Sequence, residues 1–254
     1  MSEIFKNVSE LEQFFRNLGI EYRFNCYYEK NGEGCHLLGE YMSKIEDDLI
    51  RSTKVFKDNC DNNGFARSCT QFGVNLLNGT GCAKDAKKAV EYLSRGCDLN
   101  DNEGCFYTGQ LLSGADPQYL NRKAGCFYTG QLLSGADPQY TGTVEPDIKR
   151  SVKSLEKGCE LTGNGAIAAE CCFYLHSFYL FGKNGCEKDL PKALKYGIKG
   201  CDLDNVQSCN NLSQMYALGT GTAVDEVLAK KYRIKSIDMI EQMRNARHID
   251  TQRT

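Results

Sequence analysis

Cysteine is the residue type whose number and spacing here point to chemistry. Fourteen cysteines stand in 254 residues, and ten of them form five local pairs: Cys26/Cys35, Cys60/Cys69, Cys97/Cys105, Cys159/Cys172 and Cys201/Cys209. Within a pair the separation is 8, 9 or 13 residues. Two thiols held at one corner of a helical hairpin can be oxidised to a disulfide if their Cα atoms come within about 4.4–6.8 Å. Each such bond would close a short loop and stabilise the fold by about 2–3 kcal/mol in the chain-entropy account. A zinc site would need CxxC-type spacing or histidines beside the pairs, and only His36 stands next to one. A free thiol packing as a small hydrophobe could recur at one position. Two positions recurring together five times favour disulfides.

Four cysteines remain. Cys82 and Cys186 hold the same loop slot and are expected to fill space under the turn. Cys126 duplicates Cys105, and either can pair with Cys97, with the shorter spacing favouring Cys105. Cys171 adjoins Cys172. Matching Cys172-Phe173-Tyr174-Leu175 to Cys209-Asn210-Asn211-Leu212 favours Cys172 as the partner of Cys159.

Other chemistry is thinner. Ser154-Leu155-Glu156-Lys157 spells the S-x-x-K of serine β-lactamases, but no SDN or KTG accompanies it. The histidines, His36, His176 and His248, are dispersed, and no carboxylate pair forms an acid–base couple. His36 and His176 are read as structural, with a ligand role as the alternative. The Gly-x-Gly loops at 79–81 and 219–221 lack a Walker lysine and a preceding strand, so they are not phosphate cradles. Three glycosylation sequons, at Asn7, Asn78 and Asn211, matter only for a secreted chain.

The elements that must position the cysteines repeat along the chain. LNGTGCAKDAKKAVEYLSRGCDL at 77–99 matches FGKNGCEKDLPKALKYGIKGCDL at 181–203. A small residue stands eight positions before the first cysteine of the last four pairs: Ser52, Ala89, Ser151 and Ala193. Ala229 stands likewise before Ile237, which takes the cysteine's place. This segment is helix B. The second cysteine opens helix A, with a small residue four positions on: Gly39, Gly73, Gly109 and Ser213. Glycine costs about 1 kcal/mol against alanine inside a helix, so its recurrence implies close approach of a neighbour. His176 breaks this pattern and is expected to distort its hairpin.

The B-helix positions 26, 60, 97, 159, 201 and 237 are 34, 37, 62, 42 and 36 apart. The outlier has a visible cause: GCFYTGQLLSGADPQY at 104–119 recurs letter for letter at 125–140, an offset of 21. A period of 34 to 42 with two helices per unit predicts an all-α solenoid of about five αα-hairpins stapled by disulfides. The units are expected at about 35–62, 69–99, 105–161 with the 21-residue duplication, 172–203 and 209–240, in one domain covering 1–254. A capping segment over Phe5–Tyr28 precedes them, with a helix start at Ser9-Glu10-Leu11-Glu12, and a charged helix from Ile237 follows.

Composition bounds the function. The net charge of −2 with scattered basic residues argues against nucleic acid as a partner. No run of 18 apolar residues predicts membrane insertion, and the acidic start resembles neither a signal nor a transit peptide. Many cysteines without a secretion signal leave either reduced buried thiols or an oxidising compartment reached without a cleaved signal.

These features resemble the Sel-1-like repeat family, including the cysteine-rich bacterial members of the Hcp β-lactamase group. The chain is also similar to a metazoan family of soluble assembly factors for cytochrome c oxidase. The carrying residues are Phe24-Asn25-Cys26-Tyr27-Tyr28-Glu29-Lys30 with Gly34-Cys35, Lys54–Cys60 with Ser68-Cys69, and Cys201-Asp202-Leu203 with Ser208–Tyr216. The Cys-x8-Cys spacing of the first two pairs departs from the x9 of the small twin-cysteine import substrates. The resemblance implies a mitochondrial intermembrane-space protein that is not an enzyme and supports respiratory complex IV assembly, with complex I as an extension. It implies assembly intermediates as partners and haem as a candidate cofactor, held non-covalently because CxxCH is absent. A monomer is expected. The alternatives are a β-lactamase or penicillin-binding activity and a secreted repeat adaptor. A concave face lined by A helices would hold the partner; Tyr107, Tyr174 and Tyr216 are candidates for it, with a place in the core as the favoured reading.

Overall fold

The structure is a computed structural model and describes residues 8–113, 144–182 and 185–251. The duplicated segment at 125–140, with Cys126, and the side chain of His248 lie outside the described residues. Among the described residues the chain forms eleven helices and no strand. They are α1 (Val8–Tyr27), α2 (Gly32–Lys44), α3 (Leu49–Asn63), α4 (Ala66–Asn78), α5 (Ala86–Asp98), α6 (Asn102–Leu112), α7 (Ile148–Glu160), α8 (Gly165–Phe181), α9 (Leu190–Asp202), α10 (Val206–Leu218) and α11 (Glu226–Thr251). Helix α1 begins at Val8, so Ser9 lies inside its first turn rather than ahead of it.

The even-numbered helices from α2 to α10 are the A helices, and the odd-numbered ones from α3 to α11 are the B helices. The residues fall into two compact units, one up to Gly104 and one holding 105–113 and 145–251. In the first, α2 packs on α3 and α4 on α5; in the second, α8 packs on α9 and α10 on α11. Each unit is a stack of αα-hairpins, because one hairpin alone leaves an apolar face in water.

Local chemistry sets the helix starts. An aspartate precedes each B helix, and its Oδ1 accepts from the backbone N–H three residues on: Asp48 from Arg51, Asp85 from Lys88, Asp147 from Arg150, Asp189 from Lys192, Asp225 from Leu228. Such caps satisfy orphan donors and contribute about 1 kcal/mol each. Within a hairpin the Gly-x-Gly loop joins helix A to helix B and passes close to the B helix of the preceding hairpin. A Cβ on Gly81, whose φ is +65°, would lie 2.1 Å from the Leu49 carbonyl oxygen, so only glycine fits. The loop glycines serve packing.

The small slot of helix A has a structural cause. A Cβ on Gly39 would lie 2.5 Å from Phe56, one on Gly73 2.7 Å from Leu93 Cγ, and one on Gly109 2.4 Å from Leu155 Cγ. The opening serine of helix B then reaches the glycine carbonyl: Ser52 Oγ donates to Gly39 O at 2.7 Å, and Ser151 Oγ to Gly109 O at 2.6 Å. The expected distortion at His176 does not occur. Here the size pair is reversed, with Gly197 on α9 where the other B helices carry Phe56, Leu93 or Leu155, and its Cβ would lie 2.7 Å from His176 Nδ1. The hydrogen bond is reversed too: His176 Nδ1–H donates to the Ala193 carbonyl at 2.7 Å. Large and small trade places across the same pair of slots.

Candidate functional site

The recurring chemistry sits where a B helix turns into the next A helix. The structure brings four of the sequence-predicted cysteine pairs together there. Cα–Cα distances are 4.3 Å for Cys26–Cys35, 4.7 Å for Cys60–Cys69, 4.9 Å for Cys159–Cys172 and 4.7 Å for Cys201–Cys209, each with its sulfurs at bonding distance. Cys97 and Cys105 are each in the disulfide-bonded state as well. All ten sulfurs belong to buried residues. The tight turn that creates the proximity uses left-handed residues near the helix end: Gly64 after α3, Asn100 after α5 and Asp204 after α9.

The described leftover thiols have distinct surroundings. Cys171 is fully buried, and burial pushes its thiol well up. It packs against Gly158, whose Cβ would lie 2.6 Å from Cys171 Sγ. Cys82 and Cys186 are half-buried in their loops, not core-filling as expected, because the loop is too short to sink under the hairpin. Burial raises both thiols, which makes them poor nucleophiles.

A polar network supports the second corner. Asn59 Nδ2 donates to the Gly32 carbonyl at 2.8 Å and to Ser68 Oγ at 2.7 Å, and Ser68 Oγ lies 3.0 Å from His36 Nδ1. His36 is packed between Phe56 and Phe65. Burial, with the Arg67 charge, pushes it down to about 4, so the ring is neutral at physiological pH. His176 is also lowered, by burial, against its bond to Ala193, and its Nε2 is buried without a partner.

These surroundings bear on haem. A haem iron needs a ligating nitrogen that faces a slot large enough for a porphyrin. His36 is 3% exposed and His176 0%, both enclosed by side chains and helix backbone. The described histidines do not fit that group.

The tyrosine candidates for the binding face divide. Tyr107 and Tyr216 are buried in the core, Tyr216 stacked on Tyr232 of its own hairpin. Only Tyr174 stays half-buried; its hydroxyl accepts from Gln110 Nε2 at 3.1 Å, and burial pushes it up to about 12. A tyrosine pair unforeseen in the sequence reading lies nearby. Tyr179 and Tyr196 stack at 5.9 Å, and both hydroxyls donate to Glu156 Oε1, at 3.4 and 3.0 Å. Tyr196 shares its helix-B slot with Tyr92, which donates to Asp61 at 3.2 Å. The signal was a tyrosine three positions after the small residue of helix B.

Ser154 is half-buried in the interior of α7. Backbone N–H groups in a helix interior donate to carbonyls four residues back, so none is left beside Ser154 to stabilise an oxyanion. Among the described residues no group of three or more His, Cys, Asp or Glu could hold a metal, and no helix is long and apolar enough to cross a membrane.

The Sel1 repeat pattern matches residues 66–101, 169–205 and 206–239, which are three of the hairpins. The cytochrome c oxidase assembly factor 7 homologue of Drosophila melanogaster is 35% identical over 254 residues, covering 94% of this chain and 92% of that protein. This chain belongs to the cytochrome c oxidase assembly factor 7 family. The family member from Danio rerio is 33% identical, with 92% of each chain covered, and the one from Homo sapiens 28%, with 89% and 87% covered. The crystal structure of a Sel1 repeat protein from Oxalobacter formigenes superimposes with a TM-score of 0.59 at 19% identity, covering 82% of this chain and 71% of that one. That likeness concerns the fold alone.

Proposed function

We propose that this protein supports assembly of cytochrome c oxidase in mitochondria, acting as a non-enzymatic scaffold that holds protein partners. Near full-length similarity to relatives named as assembly factors for that enzyme carries the reading. The repeats supply the means: stacked hairpins offer extended surfaces for other chains. The compartment proposed is the intermembrane space, which fits a chain whose corners bring ten cysteines into disulfides.

The test is removal of the protein from cells of its own source. Native gels of the mitochondria are expected to lose mature complex IV, and re-expression of the wild-type chain to restore it. In intact mitochondria the protein should resist added protease until the outer membrane is ruptured. Unchanged complex IV would overturn the assembly role. Recovery in secretory membranes would favour the secreted adaptor.

A further inference from the structure

The last B helix differs from the others in what covers it. Cys60, Cys159 and Cys201 are at most 1% exposed, because the next A helix docks on them. In α11 that slot holds Ile237, which is 44% exposed. Ile198 of α9 is half-buried; its counterpart Ile234 of α11 is 47% exposed. Earlier B helices turn near a left-handed residue such as Asp204. In α11 the corresponding stretch carries Ile240 and the helix runs on to Thr251, with Ile240 and Met243 also exposed. A groove of about 450 Å³ runs along α11 beside this face; Ile234, Met239 and Met243 line it together with five charged or polar residues, Lys235 and Asp238 among them. A terminal repeat normally has a polar outer face; this one keeps the apolar residues of an inner repeat.

We infer that the exposed face of α11 is a docking site for an amphipathic helix of a protein partner that imitates an A helix. The occupant follows from continuity with the stack, since the same face of α9 is covered by α10, joined at Cys201–Cys209. The partner helix would present a leucine, as α10 presents Leu212 to α9 beside Gly197, against Ile234 and Ile237. No disulfide can form there, so the contact is reversible. Methionines suit such a surface, because their side chains adapt to different partners. The inference deepens the assembly-factor reading and rests on it.

The probe is a synthetic peptide copying Asn205–Leu218 with Cys209→Ser, titrated to millimolar concentration into the full chain and followed by fluorescence anisotropy. Saturable binding is expected, weakened at least tenfold by Ile234→Glu with Ile237→Glu, since each replacement puts a charge where an apolar side chain would be buried. The replaced side chains are near half-exposed, so helicity should be retained; Met243→Glu provides a second variant with the same expected direction. No saturable binding, or equal binding by wild type and variants, would overturn the inference. So would a wild-type dimer that the substitutions dissociate, because the occupant would then be a second copy. The assay is read in solution, so it fails separately from the complex IV phenotype.

Discussion

Replacing Cys201 and Cys209 together by serine is expected to lower the stability of the α10–α11 hairpin by about 2–3 kcal/mol. The bond closes a loop of 8 residues between the ends of α9 and α10, and both residues are fully buried. Two hydroxyls would replace it in an apolar setting, adding cost unless they bond each other. Repeat arrays need not unfold in one step, so the loss should appear as an early transition of the terminal hairpin in urea, read by circular dichroism. Wild-type protein in strong reductant should show at least the same loss. An unchanged urea profile would mean that the bond contributes nothing.

The second large effect is expected at the reversed pair in the α8–α9 hairpin. Gly197→Leu places atoms where His176 stands and should cost about 1–3 kcal/mol by overpacking. His176→Gly empties a fully buried site, loses the bond to Ala193 and adds a helical glycine, costing about 2–4 kcal/mol. The double variant recreates the Gly73–Leu93 and Gly109–Leu155 arrangement. It should be more stable than the sum of the single effects by at least about 1 kcal/mol. Strict additivity in urea unfolding would show that the two positions do not share one space.

Much of this was legible in the sequence, and the residues say why. The cysteine pairs and the small residue eight positions before them recur at fixed spacing, which reports helix register directly. Asp48, Asp85, Asp147, Asp189 and Asp225 stand four positions before that small residue and mark each B-helix start, a signal as regular as the cysteines but not used in the sequence reading. The compensation of His176 by Gly197 was out of reach until the two helices were set in register, because it couples positions on different elements. For Tyr107 and Tyr216 the sequence leaves a binding face beside the favoured core reading, because helix period gives a face but not its neighbour; both are in the core. Glu156 entered only as a chance member of S-x-x-K, whereas in the fold it accepts from two tyrosines. The open face of α11 did have a mark, the isoleucine in a cysteine's slot.

The central claim is a repeat protein of the cytochrome c oxidase assembly factor 7 family whose A/B corners are closed by disulfides. Mass spectrometry of the non-reduced, denatured protein after thiol alkylation tests it most directly. Of fourteen cysteines, no more than four should take up the label, and digestion should yield linked peptides containing Cys26–Cys35, Cys60–Cys69, Cys159–Cys172 and Cys201–Cys209. Ten or more labelled cysteines in protein taken from its own compartment would contradict the account.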